Sequence, residues 1–221
     1  MMIKLRNITK IYNPKKHNQF VALRGISLEI ADGDLCAIIG KSGSGKSTLL
    51  HIIGMLDTFS SGKFIFNNED ISKKSESAAA KIRAKQIGFV KQDFALIEEY
   101  SALDNVMLPL YPIKAQNKKK KALSALEKMG IKSLAEKEVR TLSGGEKQRV
   151  AIARAIVNNP KIILADEPTG SLDSKTAAEI MNVLKVLNSE GKTVVIVTHD
   201  LGIARQCRRI IEISDGEIVS R

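Results

Sequence analysis

The sequence predicts an α/β fold in which a parallel sheet is interrupted by a mainly helical insertion. Short apolar segments with strand character alternate with segments of helical spacing in the first and last parts of the chain. Residues 35–39 form a nearly continuous apolar run, which is typical of a central parallel strand covered on both faces. Residues 94–158 contain little strand signal, which indicates the helical insertion.

Each strand is expected where apolar residues alternate or form a short run, and each helix where they recur every three to four residues. Strands are expected at residues 3–8, 21–30, 35–39, 87–90, 162–165, 193–197, 210–213 and 217–219. Helices are expected at residues 49–56, 75–85, 117–129, 146–157, 174–188 and 201–206, the last with Asp200 as its N-cap. We expect one domain over residues 1–221, with a core of 1–92 and 159–221 and a helical subdomain at about 93–158.

The composition argues against a membrane-spanning chain. The longest apolar runs are strand-sized and far below the ~20 residues that a membrane span needs. Charged residues interrupt the start of the chain, where a signal peptide would be apolar, so we expect a cytoplasmic protein. Cys36 lies in an apolar run and is interpreted as a small buried hydrophobe, and we assign no function to either cysteine.

The formal net charge of +11 has three explanations, and the run of lysines at residues 118–121 is its densest part. The first is a solvated helix face, and the second is proximity to the anionic inner leaflet of a membrane. Nucleic acid is the least favoured partner, because aromatic residues make up 4% of the chain, Trp is absent and no aromatic residue is interleaved with the lysines.

A glycine-rich loop after the apolar run at residues 35–39 matches the phosphate-binding pattern G-x-x-x-x-G-K-[ST]. The expected nucleotide site comprises Gly40, Lys41, Ser42, Gly43, Ser44, Gly45, Lys46, Ser47 and the adjacent Thr48. The glycines allow several N–H groups to point into one concavity, and the following helix adds its positive N-terminal end. Lys46 is expected to contact the β- and γ-phosphates of ATP, and the Ser47 hydroxyl to ligate Mg²⁺.

Two adjacent carboxylates, Asp166 and Glu167, follow the apolar run at residues 162–165. Parallel sheets bind ligands at the carboxyl ends of their strands. Considered alone, two acids after a strand are explained equally well as solvated loop residues. In a chain that also has a phosphate loop, Asp166 is expected to hold Mg²⁺ through water and Glu167 to act as general base on the attacking water.

A third motif, close to the middle of the chain, is more specific. It consists of Leu142-Ser143-Gly144-Gly145-Glu146 followed by Gln148 and Arg149. With this motif, the chain resembles an ABC transporter nucleotide-binding domain over essentially its whole length. Further elements of that family appear in the expected order, namely Tyr12 as the aromatic that stacks on adenine, Gln92 as the Q-loop, Ser171-Leu172-Asp173 as the D-loop and His199 as the switch histidine.

The resemblance implies a P-loop NTPase core of the RecA-like type, an N-terminal antiparallel β subdomain and an inserted α-helical subdomain. It also implies an ATPase in which two subunits sandwich two ATP molecules. The signature residues of one subunit would then bind the nucleotide of the other through Ser143, Gly144, Gly145 and Glu146.

The resemblance assigns further catalytic roles. His199 would hydrogen-bond the γ-phosphate and hold the attacking water in line. Gln92 would join Ser47 and Asp166 at Mg²⁺ and take part in catalysis, and it would link the core to the helical subdomain. Tyr12 has an alternative interpretation as a core aromatic that ends the first strand.

The resemblance also implies partners. A single phosphate loop in the chain requires a dimer, expected to be a homodimer, with a heterodimer with a related chain as the alternative. An integral-membrane permease is expected as a separate subunit, which would place the chain at the cytoplasmic face of the membrane, without nucleic acid.

Two segments, Gly54-Met55-Leu56-Asp57 and residues 105–110, resemble the subgroup that serves macrolide efflux, lipoprotein release and antimicrobial-peptide resistance. The polar insertion between Tyr12 and Val21 does so as well. The chain has Thr58-Phe59 where that subgroup usually carries a proline. This resemblance favours export or removal of a peptide, lipopeptide or drug. The alternatives are a cell-division or wall-remodelling ATPase that transmits force without transport, and a soluble ABC ATPase of DNA repair or translation.

Overall fold

A computed structural model of the chain describes residues 2–220, which contain ten strands, seven α-helices and three short 3₁₀ helices. The strands are Ile3–Tyr12 (β1), Phe20–Ile30 (β2), Leu35–Ile39 (β3), Ser61–Phe66 (β4), Glu69–Asp70 (β5), Ile87–Lys91 (β6), Ile162–Asp166 (β7), Thr193–Val197 (β8), Arg209–Ser214 (β9) and Glu217–Ser220 (β10). The α-helices are Lys46–Ile53 (α1), Glu76–Gln86 (α2), Ala102–Met107 (α3), Lys118–Lys128 (α4), Gly144–Ile156 (α5), Ser174–Ser189 (α6) and Leu201–Ala204 (α7). The 3₁₀ helices are Leu108–Leu110, Lys132–Leu134 and Val139–Thr141.

The contacts group the described residues into two compact units. The first comprises residues 2–80 and 193–220, and the second comprises Lys81–Lys192. Within the described residues, no helix is both long and apolar enough to cross a membrane. The division into a core and a helical subdomain at residues 93–158 stays a prediction.

An antiparallel sheet of the first unit has the strand order β2-β1-β4-β5. Ile3 pairs with Ile30 of β2 on one side and with Phe66 of β4 on the other, so β1 lies between β2 and β4. Alternate residues of β1 are buried, as expected of a strand with one face on the core. This sheet confirms the expected N-terminal antiparallel β subdomain.

The first unit also contains a run of strands in the order β10-β9-β3-β8. β3 pairs in parallel with β8 on one side and with β9 on the other, and four of its five residues are buried. The expectation of a central parallel strand covered on both faces is therefore confirmed. Cys36 of β3 is fully buried, and burial raises the pKa of its thiol far above the ordinary value. A thiol held in its neutral form is the small hydrophobe expected at this position.

The second unit pairs β6 in parallel with β7 and packs its long helix α5 against β6 and against α3 and α4. Asn105 of α3 is fully buried, and its side chain makes three hydrogen bonds to the backbone of Ile97 and Ser101. These bonds satisfy both ends of the amide, so Asn105 ties α3 to the loop that precedes it.

All the expected strands and helices are present, with shifts at their ends, but the sequence failed to indicate β4, β5 and α3. β4 begins with Ser61-Gly62-Lys63 and only then becomes apolar, and β5 has two residues, both acidic. α3 has six residues, too few to show a helical period. β1 continues beyond the expected Ile8 to Tyr12, and its register with β2 shifts between Ile8 and Ile11, which interrupts the alternation that marks a strand.

Candidate active site

The phosphate loop lies between β3 and α1 in the first unit. Gly45 has a φ of 102°, and a Cβ added there would lie 2.6 Å from the carbonyl oxygen of Ala22. A Cβ added at Gly40 would lie 2.1 Å from the carbonyl oxygen of Ile213. Only glycine fits at either position, so the pattern of glycines follows from the close approach of β2 and β9 to the loop.

The loop offers hydrogen-bonding groups that the chain leaves open to a ligand. α1 begins at Lys46 with Gly45 as its N-cap, and it has neither a side-chain cap nor an acidic residue in its first turn. No capping side chain therefore occupies the N-terminal end of this helix. The Ser44 hydroxyl is 5% exposed and has no hydrogen-bond partner. Uncapped N–H groups at a helix N-terminus and an unpaired buried hydroxyl fit an anionic phosphate.

Lys46 is almost fully buried, and its ammonium group points back into the loop. Its Nζ donates to the carbonyl oxygens of Gly40 and Lys41, each at 2.8 Å. These bonds hold the positive charge against the loop, where it would neutralise the charge of a bound phosphate. The structure thus places Lys46 as the sequence predicts, at the start of the helix after the phosphate loop.

Tyr12 ends β1, and its hydroxyl is held by a carboxylate that the sequence analysis did not assign. The Tyr12 hydroxyl donates to Asp57 Oδ2 at 2.7 Å, and Lys10 Nζ donates to Asp57 Oδ1 at 2.6 Å. The same Nζ lies 4.6 Å from the centre of the Tyr12 ring and donates to the carbonyl of Thr58. One ring face is therefore occupied by a cation, and the hydroxyl is fixed at its far end.

Burial, hydrogen bonds and charges among Lys10, Tyr12 and Asp57 shift two pKa values in opposite directions. Burial and the carboxylate of Asp57 raise the pKa of Tyr12. Burial opposes ionisation of Asp57, but hydrogen bonds from Lys10, Tyr12 and the Thr58 N–H outweigh it and lower the pKa of Asp57. The ionised carboxylate is thus stabilised at neutral pH by three donors.

Replacing Asp57 with asparagine is expected to destabilise the chain by about 1–3 kcal/mol at pH 7, because the 7% exposed Lys10 loses its counter-charge. The folded-state pKa of Asp57 is lowered, so its contribution is complete above the unfolded pKa of about 3.9 and is lost as pH falls below it. Urea unfolding of both proteins between pH 7 and pH 3 measures this difference. Glu99→Gln, at an exposed carboxylate, is the control, and an Asp57→Asn difference that stays constant with pH contradicts the assignment.

Asp166 and Glu167 lie in the second unit, where β7 ends. Asp166 is the last residue of the strand and pairs with Lys91 of β6. Glu167 leaves the strand with a φ of 47°, in the left-handed region that a residue with a side chain rarely adopts. Such conformations concentrate at functional sites, because the surrounding structure must hold them against their cost.

The signature segment begins α5. Ser143 is the N-cap, and its hydroxyl and backbone N–H both bond to the carboxylate of Glu146, each at 2.8 Å. These bonds lower the pKa of Glu146, and the bond from the Ser143 N–H has a larger effect than the bond from the Ser143 hydroxyl. A Cβ added at Gly145 would lie 2.6 Å from Thr176 Cγ2. The N–H groups of Gly144 and Gly145 therefore stand in the first turn of a capped helix, as the sequence predicts.

The segment matched to the D-loop precedes α6, and Asp173 caps that helix. Its carboxylate accepts from the N–H groups of Lys175 and Thr176, each at 3.0 Å, and from the Thr176 hydroxyl. Hydrogen bonds from Thr176 are the main cause of a lowered pKa for Asp173. The cap fixes where the D-loop ends and α6 begins.

Gln92 is exposed and follows the last residue of β6. The Ser171 hydroxyl lies 3.4 Å from its carbonyl oxygen, so the segments matched to the Q-loop and the D-loop touch within the second unit. Phe94 and Ala95 both have positive φ, and the guanidinium of Arg154 donates to both of their carbonyl oxygens at 2.7 and 2.5 Å. Arg154 of α5 therefore holds the turn that follows Gln92.

His199 lies in the first unit between two anchored residues. Thr198 is buried, its N–H donates to the carbonyl of Ile38, and its hydroxyl accepts from the N–H of Asp200. Asp200 caps α7 through the N–H groups of Gly202 and Ile203, which confirms the expected N-cap. The backbone on both sides of His199 is thus fixed, and its imidazole is exposed.

The structure therefore collects Tyr12, the phosphate loop and His199 in the first unit, and Gln92, the carboxylates, the signature and the D-loop in the second. Among residues 2–220, no group of three or more His, Cys, Asp or Glu side chains is placed to hold a metal ion. The assigned roles of these residues stay predictions.

The family model described as ABC transporter matches residues 23–170 of the chain. The chain belongs to the ABC transporter family. It is therefore an ATP-binding subunit of that family and an ABC ATPase, which confirms the expected family and enzyme class.

Curated relatives match almost the whole chain. An ABC transporter ATP-binding protein of Bacillus subtilis, YvrO, is 46% identical over 220 residues, which cover 99% of this chain and 96% of the relative. The protein MJ0796 of Methanocaldococcus jannaschii is 47% identical over 224 residues, with 98% and 95% covered. The macrolide export ATP-binding/permease protein MacB of Bdellovibrio bacteriovorus is 44% identical over 219 residues, and the chain spans only 34% of its length.

Solved structures confirm the fold class. A dimeric structure of the MJ0796 cassette superposes with a TM-score of 0.90 at 47% identity and covers 99% of this chain and 97% of that one. A dimeric post-hydrolysis state of the same cassette, bound to ADP and Pi, has the same TM-score at 45% identity and the same coverage. The α/β cassette fold is thus established over the described residues.

Three residues with specific contacts at the site had no role in the sequence analysis. Asp57 and Lys10 hold Tyr12, and Arg154 holds the turn after Gln92. Asp57 lies 45 residues from Tyr12 and 47 from Lys10, and Arg154 lies 60 residues from Phe94, so no local pattern identifies these contacts. The one available signal was the segment Gly54-Met55-Leu56-Asp57, which resembles the transporter subgroup but carries no statement of what Asp57 contacts.

Proposed function

We propose that the chain dimerises on binding ATP and drives a separate integral-membrane permease that exports or removes a peptide, lipopeptide or drug. The observation that carries the proposal is the 44% identity to MacB, in which an ATP-binding part and a permease part share one chain. This chain spans about a third of the length of that protein, and we propose that a separate subunit supplies the permease. The dimeric cassettes of MJ0796 support a dimer, with a homodimer expected and a heterodimer as the alternative.

The phosphate loop would bind ATP through its N–H groups and the ammonium of Lys46, since α1 has no side-chain cap and Lys46 Nζ is held against the loop by the Gly40 carbonyl oxygen. Tyr12, with one face on Lys10, would offer its ring to the adenine. In the second unit, Glu167 would take the proton of the attacking water as general base. His199 would hold that water and the γ-phosphate by hydrogen bonds, because the backbone on both sides of it is anchored.

The residues expected at Mg²⁺ supply the oxygen donors that this ion prefers. They are the hydroxyl of Ser47, the carboxylate of Asp166 and the amide oxygen of Gln92. When bound with ATP, Mg²⁺ would neutralise charge on the β- and γ-phosphates. The signature N–H groups of Gly144 and Gly145 would neutralise the γ-phosphate charge of the partner subunit's nucleotide.

Purification of the Glu167→Gln variant with ATP from its native membranes tests the proposal, because a trapped ATP-bound dimer is expected to retain the permease. The expected result is a co-purified permease with a large extracytoplasmic domain. A small permease bound to regulators of wall hydrolases would instead support the force-transmitting alternative. Ribosomes or DNA-repair proteins without a membrane subunit would contradict a transporter altogether. The wild-type chain purified with ATP is the control, since it hydrolyses the nucleotide and is expected to retain less of the permease.

A further inference from the structure

Gln148 of α5 is fully buried, and its only assignment so far is to the sequence pattern of the signature. Its Nε2 donates to the carbonyl oxygen of Pro168 at 2.5 Å. Pro168 directly follows Glu167, so the bond spans from the signature helix to the turn that carries the proposed general base. Both ends lie in the second unit.

The turn at Glu167 needs such support. Glu167 has a φ of 47°, which costs a residue with a side chain about 1–3 kcal/mol. The ring of the following Pro168 restricts the backbone of Glu167 further. Local bonds help, since the N–H of Gly170 donates to the carbonyl of Glu167 at 3.1 Å. The Gln148 side chain adds a hydrogen bond to this turn from helix α5.

The other end of the Gln148 amide shows that packing alone does not explain the residue. Its Oε1 is buried and has no hydrogen-bond partner. An unpaired buried oxygen is unfavourable, so an apolar side chain of the same length would suit the packing at least as well. The amide has one satisfied end, and that end is the one that holds Pro168.

We infer that Gln148 is a positioning residue that fixes the orientation of the Glu167 carboxylate and ties it to the helix that begins with the signature. This rests on the proposed role of Glu167. Because Ser143 and Gly145 are proposed to contact the partner subunit's nucleotide, α5 then connects the signature of a subunit to that subunit's own general base. The two ends of this connection are the capped first turn of α5 and the Pro168 carbonyl.

Gln148→Met keeps the length and volume of the side chain and removes both the Nε2 donor and the unpaired Oε1. A small displacement of a reacting group costs up to about 100-fold in rate, so kcat for ATP hydrolysis is expected to fall about 10- to 100-fold. KM for ATP and the urea midpoint are expected to change little. Gln86→Met is the matched control, because it also removes a buried unpaired Oε1, and Gln86 is the last residue of α2 and belongs neither to α5 nor to the turn at Glu167. It is expected to keep wild-type kcat.

The double variant Gln148→Met/Glu167→Gln separates positioning from general damage. If Gln148 acts through Glu167, the double variant is expected to have the same residual kcat as Glu167→Gln alone. Unchanged kcat in Gln148→Met, or a full additional loss in the double variant, overturns the inference while the role of Glu167 stands. Normal turnover of Glu167→Gln alone overturns the role of Glu167 and the inference with it. A lowered urea midpoint in proportion to the lost rate would mark Gln148 as structural and also overturn the inference.

Discussion

Replacing Glu167 with glutamine is expected to lower kcat for ATP hydrolysis by about 10²–10⁴-fold while ATP affinity changes little. The amide keeps the size of the carboxylate and therefore fits the same strained turn at φ 47°. It cannot accept a proton from the attacking water at neutral pH. Binding contacts remain in place, so the loss falls on the chemical step and not on KM.

Steady-state phosphate release and equilibrium ATP binding measure the two quantities. Size-exclusion chromatography with ATP is expected to show a dimer for the variant, because the closed state no longer decays by hydrolysis. Glu190→Gln is the control, since Glu190 pairs with Lys128 at the surface and such pairs contribute little. Wild-type turnover, or no dimer in the presence of ATP, is the result that removes Glu167 from the catalytic role.

The central strands that the sequence predicted are those whose burial is repeated from residue to residue. Every residue of β8 is buried, and four of the five in β3, so a short apolar run identifies each strand without knowledge of its neighbours. β4 is different, because its first three residues are exposed and only Phe64 and Phe66 are buried. A strand with two buried residues is defined by its partner β1, which local sequence does not reveal.

The residues of the site also divide into those that local sequence predicts and those that only the fold reveals. The phosphate loop is predictable because the glycines are required by the backbone itself, where Gly45 combines a φ of 102° with a close approach to Ala22. The supporting contacts depend on tertiary structure. Gln148 belongs to the signature pattern, yet its bond to Pro168 spans 20 residues and appears only once α5 is placed beside the end of β7. Chemistry-bearing residues can therefore be predicted from motifs, and the residues that orient them require the fold.

Replacing Lys46 with methionine is expected to weaken ATP binding by about 10- to 100-fold, because charge-assisted hydrogen bonds contribute roughly 1.5–3 kcal/mol each. Methionine keeps the buried apolar stem of the side chain and removes the ammonium group. That group now bonds to the carbonyls of Gly40 and Lys41, so the variant also loses a tie within the loop. The effect on binding must therefore be separated from the effect on the free protein.

Ligand-dependent unfolding separates them. With ATP at about 100 times the wild-type Kd, the wild-type chain gains about 2.7 kcal/mol of stability, whereas a variant that binds 100-fold more weakly gains about 0.4 kcal/mol. Any loss of the loop tie lowers both unfolding curves of the variant equally and leaves their separation unaffected. Lys63→Met, at an exposed lysine paired with Asp70, is expected to show the full gain. An equally large gain in Lys46→Met would mean that the N–H groups of the loop and of α1 bind the phosphates without the lysine.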